Sequence, residues 1–449
     1  MSQSEPTPSM EGFVSGMDGD ALRVVRRLLS AGHEAYLVGG CVRDLYLGRP
    51  PKDFDVATSA TPEAIRKLFR NSRIIGRRFK LVHVFFGHKI IETSTFRTTP
   101  PDTGNEDLLI THDNEWGTIE DDARRRDFTI NGLFYDVENE RIVDFVDGIS
   151  DLESRIIRTI GEPATRFRED PVRMIRAIKF AARLGFHFEP ATWQALLEVA
   201  PDITKCSKAR VLEEIYKLLR SGSSLECFAL LLESGLLQAT MPHYVALFGR
   251  DPEDGGEAIL QAIRQPDEAS PEASTLARFL AALDDYTLQT RQIVANGVLQ
   301  AVLFAPVLGD ALTTASRDGL DRHIDALMAP VSMALGIARR DRELARQILM
   351  AHRRMIEPFN RRRRASIAQR QYFHDALIFL GLAVSASGDR GRELERWRRL
   401  ADGSPEPESG RAPSAPEKAG KRNRRKRNHR RVKGAPASAA RPPAAASDR

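Results

Sequence analysis

The stretch LVGGCVRDLYLGRPPKDFDVAT, residues 37–58, decides the fold. A short apolar strand ends at Gly39-Gly40, a helix follows that Gly48 closes, and a second strand runs through Asp55. The two glycines, lacking side chains, let a phosphate approach the backbone closely. The helix that starts there aims its unpaired N–H groups and its positive dipole end at the same spot. Asp53 and Asp55 lie two apart on the expected strand, so both carboxylates project from one face. Like charges that close raise each other's pKa unless a cation lies between them, and Mg²⁺, which takes oxygen ligands and keeps places for water and phosphate, suits such a pair. A D-x-D alone is as easily a solvated strand end. Glu92, inside the apolar strand KIIETSTFR (residues 89–97), adds weight, because an unpaired carboxylate within such a strand is costly. Asp53, Asp55 and Glu92 are therefore expected to form a catalytic carboxylate triad, with metal on Asp53 and Asp55.

Outward from this stretch, helical periodicity begins near Asp20 and stops at Gly32, after a polar, Ser/Pro-rich segment 1–18 expected to be disordered. SATPEAIRKLF, residues 59–69, carries a helix start, with Thr61 as cap, Pro62 in the first position and Glu63 in the first turn. LVHVFF (81–86) and the strand holding Glu92 read as a hairpin joined by Gly87-His88-Lys89. Residues 19–160 are thus expected to form an α+β domain. Strand signals fade after Ile160, and 161–402 reads as all-helical, divided into 161–235 and 236–402. The fold class is an α+β N-terminal domain followed by an all-α C-terminal half and a disordered basic tail.

The 449 residues, 42% hydrophobic and 29% charged, exclude a wholly disordered chain, a collagen and a small disulfide scaffold. No run of about 18 uncharged apolar residues occurs, so no membrane span is expected. MSQSEPTPSMEG lacks the layout of a secretory signal, which points to the cytoplasm. Three scattered cysteines imply neither a disulfide framework nor a zinc site. The net charge of +6 conceals a split: residues 403–449 hold thirteen Lys/Arg against four Asp/Glu, which leaves the body at −3. Within that Pro/Ala/Ser-rich arm, Lys421, Arg422, Arg424, Arg425, Lys426, Arg427, Arg430 and Arg431 are expected to contact the phosphates of a polyanion such as RNA.

Two further clusters carry candidate chemistry. In GTIEDDARRRDFTING (117–132), Arg125, Arg126 and Asp127 lead into Asn131. Arg forks bind phosphates, and Asp and Asn can hold ribose hydroxyls. In RFREDPVRMIRAIKFAARLG (166–185), Asp170 is expected to cap a helix with Pro171 in first position and Gly185 at its end. Arg173 and Arg176 then share a face, near Arg166 and Arg168. An Asp with a neighbouring Arg could present an acceptor and a donor to a base edge. His112-Asp113 and His374-Asp375 have no companion ligand set and read as ordinary polar pairs. His83, on an apolar strand, reads as structural or RNA-facing rather than catalytic.

These clusters resemble the signatures of the class II nucleotidyltransferases, which comprise CCA-adding enzymes and bacterial poly(A) polymerases. Residues 37–58 are similar to their G-G-x-V-R-D … D-x-D motif, residues 125–131 to R-R-D-F-T-x-N, and Glu169–Arg176 to E-D-x-x-R-x-x-R. DFVDGISDL (144–152) resembles D-G-x-x-D-L through Asp147, Gly148, Asp151 and Leu152. SKARVLEEIYKLL (207–219) resembles S-x-x-R-[IV]-x-x-E through Ser207, Arg210 and Glu214.

The resemblance implies a palm domain over 19–160, a helical neck over 161–235 with the base-reading motif, and a helical body over 236–402. It implies two Mg²⁺ ions on Asp53 and Asp55, with Gly39, Gly40 and Arg43 at the triphosphate and Asp44 among the nucleotide-binding residues. Arg126, Asp127 and Asn131 would meet the sugar and phosphates, Asp170 and Arg173 the incoming base, and Arg176 would be a further nucleotide-binding residue. RIIGRRFKLVHVFF (73–86) resembles a segment characteristic of the poly(A) branch. The expected reaction is template-independent addition of AMP from ATP to RNA 3′ ends. A CCA-adding tRNA nucleotidyltransferase and an inactive RNA-binding protein of the same fold stand as alternatives.

Overall fold

The computed structural model describes residues 10–76, 80–98, 115–357 and 366–402. The basic arm from Gly403, residues 77–79 of the RIIGRRFKLVHVFF segment, and His112-Asp113 lie outside these described residues.

Seven strands form one mixed sheet: β1 (Ala35–Val38), β2 (Asp55–Thr58), β3 (Ser72–Ile75), β4 (Leu81–Phe86), β5 (Lys89–Thr95), β6 (Leu133–Asp136) and β7 (Arg141–Asp144), in the order β3-β4-β5-β2-β1-β6-β7. The segments rich in Val, Ile, Phe and Thr become strands because branched and aromatic side chains pack well on a pleated surface. β2 and β5 pair in parallel, and every other neighbouring pair in this sheet is antiparallel. The β4–β5 hairpin closes with Phe86 opposite Lys89, and Gly87 takes φ +59 in the turn.

Alternation puts Leu37, Val56, Val82, Val84, Ile91 and Tyr135 into the main core, with Val24 and Leu28 of the helix Gly19–Ser30 and Ile65 of the helix Pro62–Leu68. Asp18 caps the first of these helices by accepting from the backbone N–H of Asp20 and Ala21. Thr61 caps the second, accepting from Ala64 N at 3.2 Å, with Pro62 at its start. On the opposite face Val38, Ala57 and Phe134 pack with Phe96 and Ala123 beneath the helix Ile119–Arg124. This second cluster is small, and among the described residues it does not extend over the β3–β4–β5 side of that face.

The segment expected to be disordered before residue 19 contains a helix, Met10–Ser15, whose Phe13 is buried against the ring of Tyr135 at 4.9 Å. Met10, Phe13, Val14 and Met17 follow the i, i+3, i+4, i+7 spacing of a helix, a signal that the Ser/Pro-rich composition around it outweighed in the sequence reading. Among the described residues after Ile160 the chain is helical with one exception, β9 (His187–Phe188), which pairs in parallel with β8 (Ile156–Ile157). The helix Val172–Leu184 ends at Gly185, in the left-handed conformation at φ +71. The core continues through the helices that follow, to Trp397, whose Nε1 donates to Met355 O at 2.9 Å.

Candidate active site

The carboxylates gather through strand pairing. Asp55, the first residue of β2, lies opposite Glu92 on β5 and Val38 on β1, so its side chain shares the open face with Glu92. Asp53 precedes the strand rather than lying within it, and is exposed on the approach to β2. Burial first, then the charges of Glu92 and Asp53, push the Asp55 carboxyl up to about 6, against the pull of Arg126. Glu92 is not the buried carboxylate that its apolar strand suggests. Its side chain is 50% exposed and faces His83 Nε2 at 3.4 Å. The strand's alternation turns Ile91 inward and Glu92 out.

Gly39 stands at φ +74 where β1 gives way to the helix Gly40–Tyr46, and its N–H donates to Leu133 O at 2.9 Å. A Cβ there would meet Arg126 Nη1 at 3.2 Å. Arg126 is held by Asp122, which accepts from Nε at 3.2 Å and Nη2 at 2.8 Å, and its guanidinium lies over the Phe134 ring at 5.1 Å. Asp122 is itself buried and also accepts from the backbone N–H of Arg97. The sequence reading missed Asp122. Its spacing of four from Arg126, which lies just past the end of the helix that carries Asp122, was the available signal.

Arg43 and Asp44, expected at the triphosphate, are 2% and 3% exposed. The Arg43 guanidinium donates to Asp44 Oδ1 at 2.7–2.8 Å and to Asn131 Oδ1. Asp44 Oδ2 accepts from Arg183 at 3.1 Å. Both side chains are thus committed inside the protein, because a charge removed from water must be paired there. They brace the Gly-Gly turn rather than line an open surface.

Asp127 is the hub of the second cluster. Its Oδ1 accepts from Asn131 Nδ2 at 3.0 Å and from Phe128 N at 2.9 Å, and Oδ2 accepts from Arg176 at 2.6–2.8 Å. Burial alone would raise its pKa. The Arg176 charge, the two side-chain hydrogen bonds and the Arg173 charge outweigh burial and hold the carboxyl well below the usual range. Arg176 therefore joins the helix Val172–Leu184 to the Asp127–Asn131 cluster. Phe180 sits where Arg43, Arg176 and Lys179 meet, with all three cationic groups 5.1–5.5 Å from its ring centre.

Asp170 does not cap the helix after it. Its backbone ends the helix Pro163–Glu169, no side-chain cap bond is made at Val172, and its carboxylate takes both prongs of Arg210 at 2.8 Å. Arg173 donates to Glu169 Oε2 and Arg166 O, each at 2.9 Å. Glu214, four residues beyond Arg210, is buried and pairs with Lys179 at 3.0 Å, and the Lys179 and Arg176 charges outweigh burial to lower its pKa. The S-x-x-R-V-x-x-E segment thus closes onto the base-reading segment.

Two carboxylates on one strand entrance, a third across the register and a crowd of negative charge at Asp55 form a donor set that fits a hard divalent cation. Among the described residues no three His, Cys, Asp or Glu side chains converge closely enough to enclose a metal ion by themselves. Phosphate oxygens and water would have to complete the shell. Among the described residues no helix is long and apolar enough to cross a membrane.

Two families match the chain: the poly A polymerase head domain over residues 35–158, and the probable RNA and SrmB-binding site of polymerase A over residues 185–247. Poly(A) polymerase I of Escherichia coli O6:H1 is 38% identical over 432 residues, covering 92% of this chain and 89% of that protein. A CCA-adding enzyme of Lactobacillus delbrueckii subsp. bulgaricus is 40% identical over 217 residues, 48% of this chain and 54% of its own length. Among solved structures, the Bacillus stearothermophilus CCA-adding enzyme in complex with CTP is similar with a TM-score of 0.60 at 27% identity, covering 86% of this chain and 83% of that one.

Proposed function

The chain belongs to the poly(A) polymerase family of RNA nucleotidyltransferases, and from that premise we propose that it adds AMP from ATP to RNA 3′ ends, without a template and with release of pyrophosphate. The observation that carries this reading over CCA addition is extent. Likeness to poly(A) polymerase I runs through nearly the whole chain, helical half included, whereas the CCA-adding relative matches about half of it.

In the proposed reaction Asp53 and Asp55 would hold two Mg²⁺ ions, which would lower the pKa of the attacking hydroxyl and offset the charge of the triphosphate. Asp55 must be ionised to do so, and a cation beside it would offset the burial and the carboxylate charges that raise its pKa. Gly39 leaves room for phosphate oxygens beside the Arg126 fork, and Asp122 fixes that fork. Asp127 and Asn131, locked by Arg176 and Arg43, orient the ribose end of the nucleotide. Asp170, aligned by Arg210, offers a carboxylate edge to the adenine amino group, with Arg173 beside it. Catalysis then depends on positioning and charge stabilisation. The division into palm 19–160, neck 161–235 and body 236–402 belongs to this proposal, as do a cytoplasmic location and RNA contact by Lys421–Arg431 of the arm.

The test supplies ATP or CTP separately with an unstructured RNA and with a tRNA lacking its CCA end. Long A tracts on plain RNA from ATP alone are expected. Addition of two C and one A to the tRNA followed by a stop, with plain RNA ignored, overturns the proposal in favour of CCA addition.

A further inference from the structure

The register that brings Asp55 to Glu92 does not end there. Glu92 lies opposite His83 on β4, and His83 lies opposite Arg73 on β3. Register partners project from the same face, so Asp55, Glu92, His83 and Arg73 form one row across four strands. Three strand spacings make the row about 14 Å long. A second row runs beside it, where Phe85 lies opposite Ile90. On this side of the sheet the face is open: Ile90 is 42% exposed, Arg73 and Glu92 are exposed, and His83 and Phe85 are half-buried. The reverse face of the same strands, through Val82, Val84 and Ile91, is sealed in the core. Phe85 and His83 stand edge to face with ring centres 6.4 Å apart.

We infer that this open face of β3, β4 and β5 is the platform on which the 3′-terminal nucleotides of single-stranded RNA lie, with bases over Phe85 and His83 and a backbone phosphate at Arg73. The inference rests on the reading of the site as an RNA nucleotidyltransferase, because that reading puts the terminal hydroxyl at Asp55. From there the row offers one direction only. Glu92 repels phosphate, so the backbone is driven outward to Arg73, while the aromatic pair and Ile90 give the bases an apolar surface. Stacking on aromatic side chains does not discriminate sequence, as a template-independent polymerase requires. Arg73 has no ion-pair partner among the described residues, and its charge is available to a phosphate.

The experiment uses the full chain, ATP and an oligoadenylate carrying 2-aminopurine next to its 3′ end. Wild-type protein is expected to extend the RNA and to quench the probe by stacking. Phe85→Leu keeps apolar bulk but removes the ring. It should raise the RNA KM about tenfold and abolish the quench, with the ATP KM unchanged. Phe85→Tyr should restore both. Arg73→Gln, at an exposed position that folding does not need, should reduce the salt slope of log K by about 0.7 while keeping the quench. Unchanged RNA KM, quench and salt slope in these variants, with wild type active, overturn the platform and leave the poly(A) reading standing. Such a result would leave the face to a protein partner. A wild-type protein that adds no nucleotide to any RNA overturns both.

Discussion

Asp170 and Arg210, forty residues apart in the chain, form a two-pronged pair in which Nη1 meets Oδ1 and Nη2 meets Oδ2, each at 2.8 Å. The pair fixes the plane of the Asp170 carboxylate, as only a guanidinium fork can. Arg210→Lys should keep the charge and lose the plane. The expected result is a rise in ATP KM of about tenfold and a smaller gap between ATP and CTP, read from kcat/KM for each nucleotide. Equal KM values in variant and wild type would mean that Asp170 needs no such alignment.

Asp55 predicts a dependence of stability on pH. Its carboxyl is ordinary in the unfolded chain, near 3.8, and raised to about 6 in the fold. The folded state therefore holds this proton more tightly, and stability falls as pH rises from about 4 through 6. In chelator, Asp55→Asn should be more stable than wild type at pH 7.5, by about 1–2 kcal/mol after discounting for partial solvent access, and equally stable at pH 4. Thermal melts at the two pH values check the sign.

Replacing both Asp53 and Asp55 with Ala should abolish nucleotide addition while RNA affinity stays nearly intact. The RNA's phosphates are expected to be held by basic groups and not by these carboxylates. Incorporation and RNA binding measured on the same double variant decide it, and appreciable activity with Mg²⁺ present would remove the metal role.

Gly39→Ala adds a methyl at φ +74, 3.2 Å from Arg126 Nη1. At φ +74 and ψ −125 the backbone lies outside the left-handed helical well, in a region open almost only to glycine, so strain of about 1–3 kcal/mol is expected, together with a displaced Arg126 and a higher ATP KM. Denaturant unfolding and steady-state kinetics separate the two effects.

What the chain disclosed was local. Period-two apolar runs marked the strands, Thr61-Pro62 marked a helix start, and the spacing of Asp53 and Asp55 marked the entrance to β2. The failures share a cause. Asp170-Pro171 has the look of a cap, but its carboxylate gains more from the Arg210 fork, which no window of sequence contains. Arg43 carries the same letters whether it faces solvent or lies beneath Phe180, and Glu92 whether it points in or out. Only the pairing of β2 with β5 fixes the latter.

That pairing also makes catalytic competence a report on register. β2 and β5 are the one parallel neighbour pair in the seven-stranded sheet, and they are joined through a helix and a hairpin. A slip of one residue would bring Ile91 or Thr93 level with Asp55 and turn Glu92 towards the apolar interior. Chains caught in that arrangement would be silent as enzymes while still largely folded. Specific activity across a refolding time course would then count correctly threaded sheets, a quantity that circular dichroism cannot distinguish.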